Sequence, residues 1–250
     1  MVMPTPLHQR LRATHQRLDD AALKAERNPV SIALMLATKT QTSGTIRAAV
    51  LAHRDLVAAG EVTPRALHIG ENRVQELSAK APDLQDLQVT AHLIGPLQSN
   101  KINHTLRALV LHKDGSIDTV DTAELAARLS ARWDGKSPLP VMIQVNTSGE
   151  TSKSGTTPAD APALAQHIGQ LPNLALRGFM TIARRSTDPD TARNCFITLA
   201  RVREEVHIAG NGEGLVLSMG MSNDLESAVA CGADIVRIGT SVFGERPTLA

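Results

Sequence analysis

A lysine at the end of an apolar run is the first residue here with chemistry to offer. The stretch "SIALMLATKT" (31–40) is apolar up to Ala37 and then reaches Thr38 and Lys39. A lone buried ammonium is costly, so such a lysine either reaches solvent along its stem or is put to use. Two further stretches bear on the choice. "SMGMSNDLE" (218–226) and "RIGTSVFGE" (237–245) each follow an apolar run and are rich in small residues, among them Ser218, Gly220 and Gly239. Backbone N–H groups left open at the start of a helix and of a short terminal turn form an anion cradle. The plainer use of these glycines is to make tight turns. A lysine facing an anion cradle suggests a phosphorylated carbonyl compound held as a Schiff base, the amine's pKa lowered toward roughly 7–8 by partial desolvation. A sugar phosphate in a cofactor-free class I aldolase fits that description. So does pyridoxal 5′-phosphate (PLP), which carries aldehyde and phosphate in one molecule. Arg237 bears on the second option, because an arginine facing the pyridine nitrogen would keep it unprotonated and weaken the cofactor as an electron sink. A salt bridge to a carboxylate is its plainer use.

These residues need elements to bring them together. Eight strand-like runs are present: "SIALMLA", "ALHIG", "QVTAHLIG", "SIDTV", "PVMIQVN", "LALRGFMTIA", "LVLSMG" and "DIVRIG". Amphipathic stretches at 42–59, 72–81, 121–133, 158–170, 189–208 and 223–231 lie between them. Asp121 with Glu124, and Asn223 with Glu226, have the spacing of capping boxes. This alternation predicts a (β/α)8 TIM barrel over residues 31–246, preceded by an extra N-terminal helix at about 5–27, all in one domain spanning 1–250. An open doubly wound sheet lacks its glycine fingerprint, since "GNGEG" (210–214) precedes a strand and reads as a turn.

Side chains alternate along a strand, so parity assigns faces. Ile32, Leu34 and Leu36 are expected to face the helices, and Ala33, Met35, Ala37 and Lys39 the barrel interior. The same walk puts His68, Gly70 and Asn72 inward on the second strand and its exit. His92 follows on the third, Gln144 and Asn146 on the fifth, Ser218 and Gly220 on the seventh, and Ile235, Arg237 and Gly239 on the eighth. A polar ring at the C-terminal strand ends is where barrel enzymes build their sites.

Composition narrows the class. With three Phe, one Trp and no Tyr in 250 residues, the core must be aliphatic and no phenol can act in catalysis. A net charge of +1 with interspersed signs gives no footprint for nucleic acid. No apolar signal core or membrane span is found, so a soluble cytoplasmic protein is expected. Cys195 and Cys231 read as small buried residues, and the nine histidines form no metal-ligand pattern.

At these same residues the chain resembles a known family. "ATKT", "IGENRVQEL", "HLIGPLQSNK", "QVNTSGETSKSG", "GFMTIA" and "LSMGMSNDLESAVACGADIVRIGTSVFGER" are similar, in order, to motifs of the pyridoxal phosphate homeostasis proteins, single-domain relatives of the alanine racemase barrel. The likeness runs from about residue 31 to 246. It implies PLP bound as an internal aldimine on Lys39, with Asn72 beside the ring. Ser218, Gly220, Gly239 and Thr240 would hold the phosphate, and Arg237 would lie near the pyridine nitrogen. His92 and Met180 match positions lining the barrel. Three positions depart from many members: Thr38 where serine is common, Ile69 where phenylalanine is, and Arg73 where tyrosine is. The hydroxyl is kept at Thr38; the two lost aromatics bear on packing around "GEN".

The resemblance also implies a role in buffering and delivering PLP, with apo PLP-dependent enzymes as recipients and no established turnover. A PLP-dependent racemase or decarboxylase is the alternative. Racemisation needs two opposed bases. In the racemases the second is a tyrosine supplied with a C-terminal β-domain; this chain has no tyrosine and no such domain is expected. Lys153 in "ETSKSG" is a secondary candidate for receiving the aldehyde, in a loop whose small residues suggest mobility. No long apolar helix face stands out, and a monomer is expected.

Overall fold

Each of the eight apolar runs becomes a strand, and the strands close on one another. The computed structural model describes residues 5–184, 186, 188–209 and 214–244. Strands β1 (Ala33–Ala37), β2 (Leu67–Glu71), β3 (Thr90–Leu93), β4 (Gly115–Val120), β5 (Leu139–Gln144), β6 (Leu174–Met180), β7 (Val216–Ser218) and β8 (Ile235–Ile238) pair in parallel, in sequence order, and β8 returns to β1. Helix α1 (Pro6–Lys24) precedes the barrel. Helices α2 (Ser43–Ala58), α3 (Val74–Leu84), α4 (Ile102–Leu109), α5 (Ala123–Arg132), α6 (Ala161–Gly169), α7 (Pro189–Ile208) and α8 (Leu225–Ala230) fill the crossovers, and α9 (Thr240–Phe243) follows β8. This is the expected barrel with its extra helix. Most of the "GNGEG" turn, residues 210–213, lies outside the described residues.

Along β1 the parity reading holds. Leu34, Leu36 and Ile69 join the large aliphatic layer between strands and helices, where α2 contributes Ile46, Ala49, Val50 and Leu56 at helical spacing. A second, smaller cluster fills the barrel itself: Met35, Ile94, Met142, Met180 and Ile235, with Ala33, Ala37 and Val216 against them. Three of its five buried members are methionines, whose unbranched thioethers fill irregular space without an aromatic ring.

Two details differ from expectation. The sequence reading did not include α4, although Ile102, Leu106 and Leu109 are buried on one stripe. The caps of α5 and α8 sit one residue away from the expected boxes. Thr122 caps α5, its side chain accepting from Leu125 N–H, and Asp224 takes the cap position of α8 while its carboxylate accepts from Met221 N–H. Neighbouring polar residues compete for such a position, and sequence does not rank them.

Candidate functional site

Lys39 lies two residues beyond β1, half-buried, in the turn leading to α2. The ladder continues past the strand, since Thr38 N–H donates to Gly70 O at 2.9 Å. On one side of β1 the register pairs Ala37 with Gly70, so Lys39 comes opposite Asn72 when it is continued by two residues. On the other side it pairs Met35 with Arg237 and Leu36 with Ile238, which brings Gly239 and Thr240 beside the end of β1. A methyl added at Gly239 would lie 3.3 Å from Ala37 O. Closure of the barrel by β8 on β1 therefore joins residues just over two hundred positions apart.

Arg237 is buried inside the barrel. Its Nη1 donates to Ser218 O (2.7 Å) and Ser218 Oγ (2.8 Å), and its Nη2 donates to Thr181 O (2.6 Å). These partners are carbonyls and a hydroxyl, so they orient the guanidinium without cancelling its charge. Burial pushes its pKa down to about 10, opposed by the charges of Asp118 and Asp224. At neutral pH it stays cationic. Such a group suits an electron-rich or anionic ligand atom. Met180 sits against the interior cluster below it. His92 also points inward, but both its ring nitrogens are engaged: Nε2 lies 2.7 Å from His68 Nδ1, and Nδ1 lies 2.9 Å from each Asp118 oxygen.

The glycine turns are held from behind by α1. Arg17 donates to Ser222 O at 2.6 Å and makes a two-pronged pair with Glu226, while Arg10 donates to Val242 O at 2.7 Å. Arg27 adds bonds to Ala233 O and to Asp234. The extra helix thus braces both ends of the β7–α8–β8–α9 segment. Gly220 has φ +90, and a methyl there would lie 2.4 Å from Ala228 Cβ, so the turn folds directly onto α8.

Asn72 is positioned by a close approach: a methyl on Gly95 would lie 2.0 Å from Asn72 O. Ile69 packs among the helix-facing residues and Arg73 is exposed at the start of α3, so neither departure from the common family residues removes a group from the barrel interior. Asn146 pins the loop carrying Lys153, donating to Glu150 O (2.9 Å) and Lys153 O (3.2 Å). Lys153 itself pairs with Glu150 (2.6 Å) and donates to Ala183 O (3.2 Å), so small residues here bend the loop back on itself. Sequence reasoning did not find Thr181, Asp118, Gly95, or Arg10 and Arg17 of α1 and Arg27 just beyond it. "GFMTIA" and "IGP" flag the first and third only as unusual stretches, and the arginines carry no local signal.

Comparison with known proteins adds the family. Residues 33–247 match the alanine racemase N-terminal domain family. A pyridoxal phosphate homeostasis protein of Pseudomonas aeruginosa is 40% identical over 232 residues, covering 92% of this chain and 91% of the relative. The chain belongs to the pyridoxal phosphate homeostasis proteins. Among solved structures, PipY of Synechococcus elongatus with PLP bound resembles this homeostasis-family chain with TM-score 0.74 and 32% identity, covering 95% of this chain and all of PipY. Alanine racemase of Corynebacterium glutamicum shares the fold at 16% identity and TM-score 0.62, over 97% of this chain and 63% of the racemase. Among the described residues of this family member, no helix is long and apolar enough to cross a membrane.

Proposed function

We propose that this chain binds PLP on Lys39 and serves in PLP homeostasis, buffering the cofactor and delivering it to apo-enzymes. One observation carries the reading: continued by two residues, the β1 register brings Lys39 opposite Asn72 at the exit of β2, while Arg237 on β8 and Gly239 and Thr240 just past it flank the other side of β1. That donor set fits the cofactor. When bound, PLP supplies an aldehyde within reach of an amine and a phosphate for backbone N–H groups. Lys39 would hold the aldehyde carbon; Ser218, Gly220, Gly239 and Thr240 would hold the phosphate; Arg237 would face the ring nitrogen as a donor; and Asn72 would lie beside the ring. His92 and Met180 would support the floor of the site by packing, since the nitrogens of His92 are already engaged.

A carrier role is supported over turnover by the acid–base inventory. Proton exchange on both faces of a carbanion requires two bases. The chain has no tyrosine, and His68 and His92 are bonded to each other inside the barrel. The fold is related to racemases, so the test must address both readings. The purified protein mixed with PLP is expected to turn yellow. Borohydride should fix the cofactor on the peptide containing Lys39, and Lys39→Ala should be colourless. Alanine deuterated at the α-carbon should keep its label. Fixation on a different lysine would sink the site, and Lys39-dependent label loss would make the protein an enzyme.

A further inference from the structure

Lys39 is flanked by two residues that a single small cluster holds in place. Before it, Thr38 is wholly buried and its hydroxyl donates to Glu71 Oε1 at 2.6 Å. After it, Thr40 adopts a left-handed backbone, φ +67, which β-branched residues rarely take. Its N–H donates to Glu76 Oε2 at 2.8 Å. Lys80, on α3, joins the two halves. Its ammonium donates to Thr38 O (3.2 Å), Glu71 Oε1 (2.9 Å) and Glu76 Oε2 (3.0 Å). Three protons meet three acceptors. Glu71 comes from the end of β2 and is almost fully buried, while Glu76 and Lys80 are one turn apart on α3. Arg73, at the start of the same helix, acts on Glu76 from outside.

We propose that Lys80 is a positioning residue for Lys39: it ties the backbone on both sides of that lysine to β2 and α3, and it balances the two carboxylates behind it. The proposal rests on the reading of Lys39 as the cofactor lysine. Its consequence is chemical as well as mechanical. When the Lys39 nitrogen bonds to an aldehyde carbon, the carbonyl oxygen leaves as water, and the linked nitrogen can keep or lose a proton. Nearby unpaired carboxylates favour the protonated form. Burial pushes the Glu71 carboxyl up, and the bonds from Thr38 and Lys80 pull it back; with both carboxylates ionised, Glu71, Glu76 and Lys80 sum to one negative charge, and without Lys80 to two.

The experiment uses the full chain and PLP as probe. Borohydride fixation and peptide mapping of the wild type come first, because absence of a Lys39 adduct would end this proposal together with the site it rests on. Stopped-flow absorbance then gives the rate at which the near-visible band appears, and a pH titration gives the midpoint at which that band is lost. Lys80→Met should slow the rate at least tenfold and raise the midpoint by about one unit. Glu71→Gln, which removes a negative charge and leaves Lys80, should lower the midpoint. Lys80→Arg should restore the midpoint but only part of the rate, because a planar guanidinium cannot converge three donors as an ammonium does. Circular dichroism identifies any variant that fails to fold. Should Lys80→Met not fold, the opposite midpoint shift in Glu71→Gln and the split between rate and midpoint in Lys80→Arg decide the matter. Wild-type rate and midpoint in a folded Lys80 variant, or same-direction shifts on removing opposite charges, would overturn the proposal.

Discussion

His68 Nδ1 and His92 Nε2 lie 2.7 Å apart inside the barrel, their rings stacked with centroids 4.9 Å apart. Asp118 sets the protons on this pair. Ser116 Oγ donates to Asp118 at 2.7 Å, and His92 Nδ1–H donates to the same carboxylate. In that tautomer His92 Nε2 accepts from His68 Nδ1–H. Burial, assisted by His92, pushes the pKa of His68 down to about 4 against the pull of Asp118, so His68 is neutral at pH 7. Asp118→Asn leaves one neutral amide oxygen as acceptor and removes the charge that strengthens these bonds and steadies Arg237. Loss of a charged buried acceptor costs about 2 kcal/mol, and urea denaturation at pH 7 should show it. An unchanged midpoint would mean that the order of the pair does not depend on the carboxylate.

A second histidine pair governs acid stability. His15 on α1 and His53 on α2 stack at 5.2 Å beneath β1 and β2, where Arg65 donates to His15 Nδ1 (3.2 Å) and to Ile32 O (3.1 Å). Burial, followed by the charge of Arg65, lowers His15 from 6.5 to about 3 and His53 to about 4. Both folded values lie below the unfolded one, so the unfolded chain takes up protons first as pH falls. Stability is therefore intact above pH 6.5 and is lost progressively as pH falls toward about 4 for His53 and about 3 for His15, on the order of 2 kcal/mol per histidine by pH 5. Thermal melts should fall over that window. His15→Gln, which keeps an acceptor for Arg65, should flatten the fall; a curve parallel to the wild type would place the acid sensitivity elsewhere.

The extra helix should matter to affinity more than to stability. Arg17 and Glu226 are both substantially exposed, so their pair adds well under about 1 kcal/mol to folding. Yet Arg17 also holds Ser222 O, in the turn assigned to the phosphate. Arg17→Ala should weaken PLP about fivefold, equivalent to about 1 kcal/mol, while the melting temperature barely moves. Equilibrium dialysis against PLP measures the first and calorimetry the second. A matched drop in both would make the arginine a general fold contact.

Gly95→Ala tests the placement of Asn72. The added methyl would meet Asn72 O at 2.0 Å, so the β2 exit has to move. Overpacking of this kind costs about 1–3 kcal/mol, and the shift of Asn72 should weaken PLP binding beyond what the stability loss explains. An affinity equal to wild type would detach Asn72 from the ring.

How much of this was legible depends on the range of the signal. Strand parity is local and of period two, so Met35 could be placed inward, and Leu34 and Leu36 outward, from ten residues of text. The two turns proposed for the phosphate were legible as turns because small residues cluster at Ser218–Gly220 and Gly239–Thr240. Helix α4 was available in principle: Ile102, Leu106 and Leu109 repeat at four and three, but Asn103, His104 and Thr105 interrupt the apolar pattern. Contacts that combine distant residues left no trace. Arg17 meets Glu226 across 209 positions, and Lys80 meets Thr38 across 42, because barrel closure and helix packing make those neighbours and a single sequence does not record them.

Lys153 is the last residue whose role an experiment can assign. Its position in "ETSKSG" made it a candidate to receive the aldehyde on the way out. The structure gives its ammonium two partners, Glu150 at 2.6 Å and Ala183 O at 3.2 Å, and the pairing holds the Glu150 carboxyl below its ordinary range. An amine held by these two partners cannot attack an aldehyde until the pair opens. Lys153→Ala is therefore expected to leave the rate of PLP transfer to an apo-enzyme unchanged, with Lys39 still the only site fixed by borohydride. The assay mixes the PLP-loaded protein with an apo-aminotransferase and follows recovery of activity. Slower transfer in the variant, with a second adduct on Lys153 in the wild type, would instead make the opening of the Glu150 pair a step of delivery.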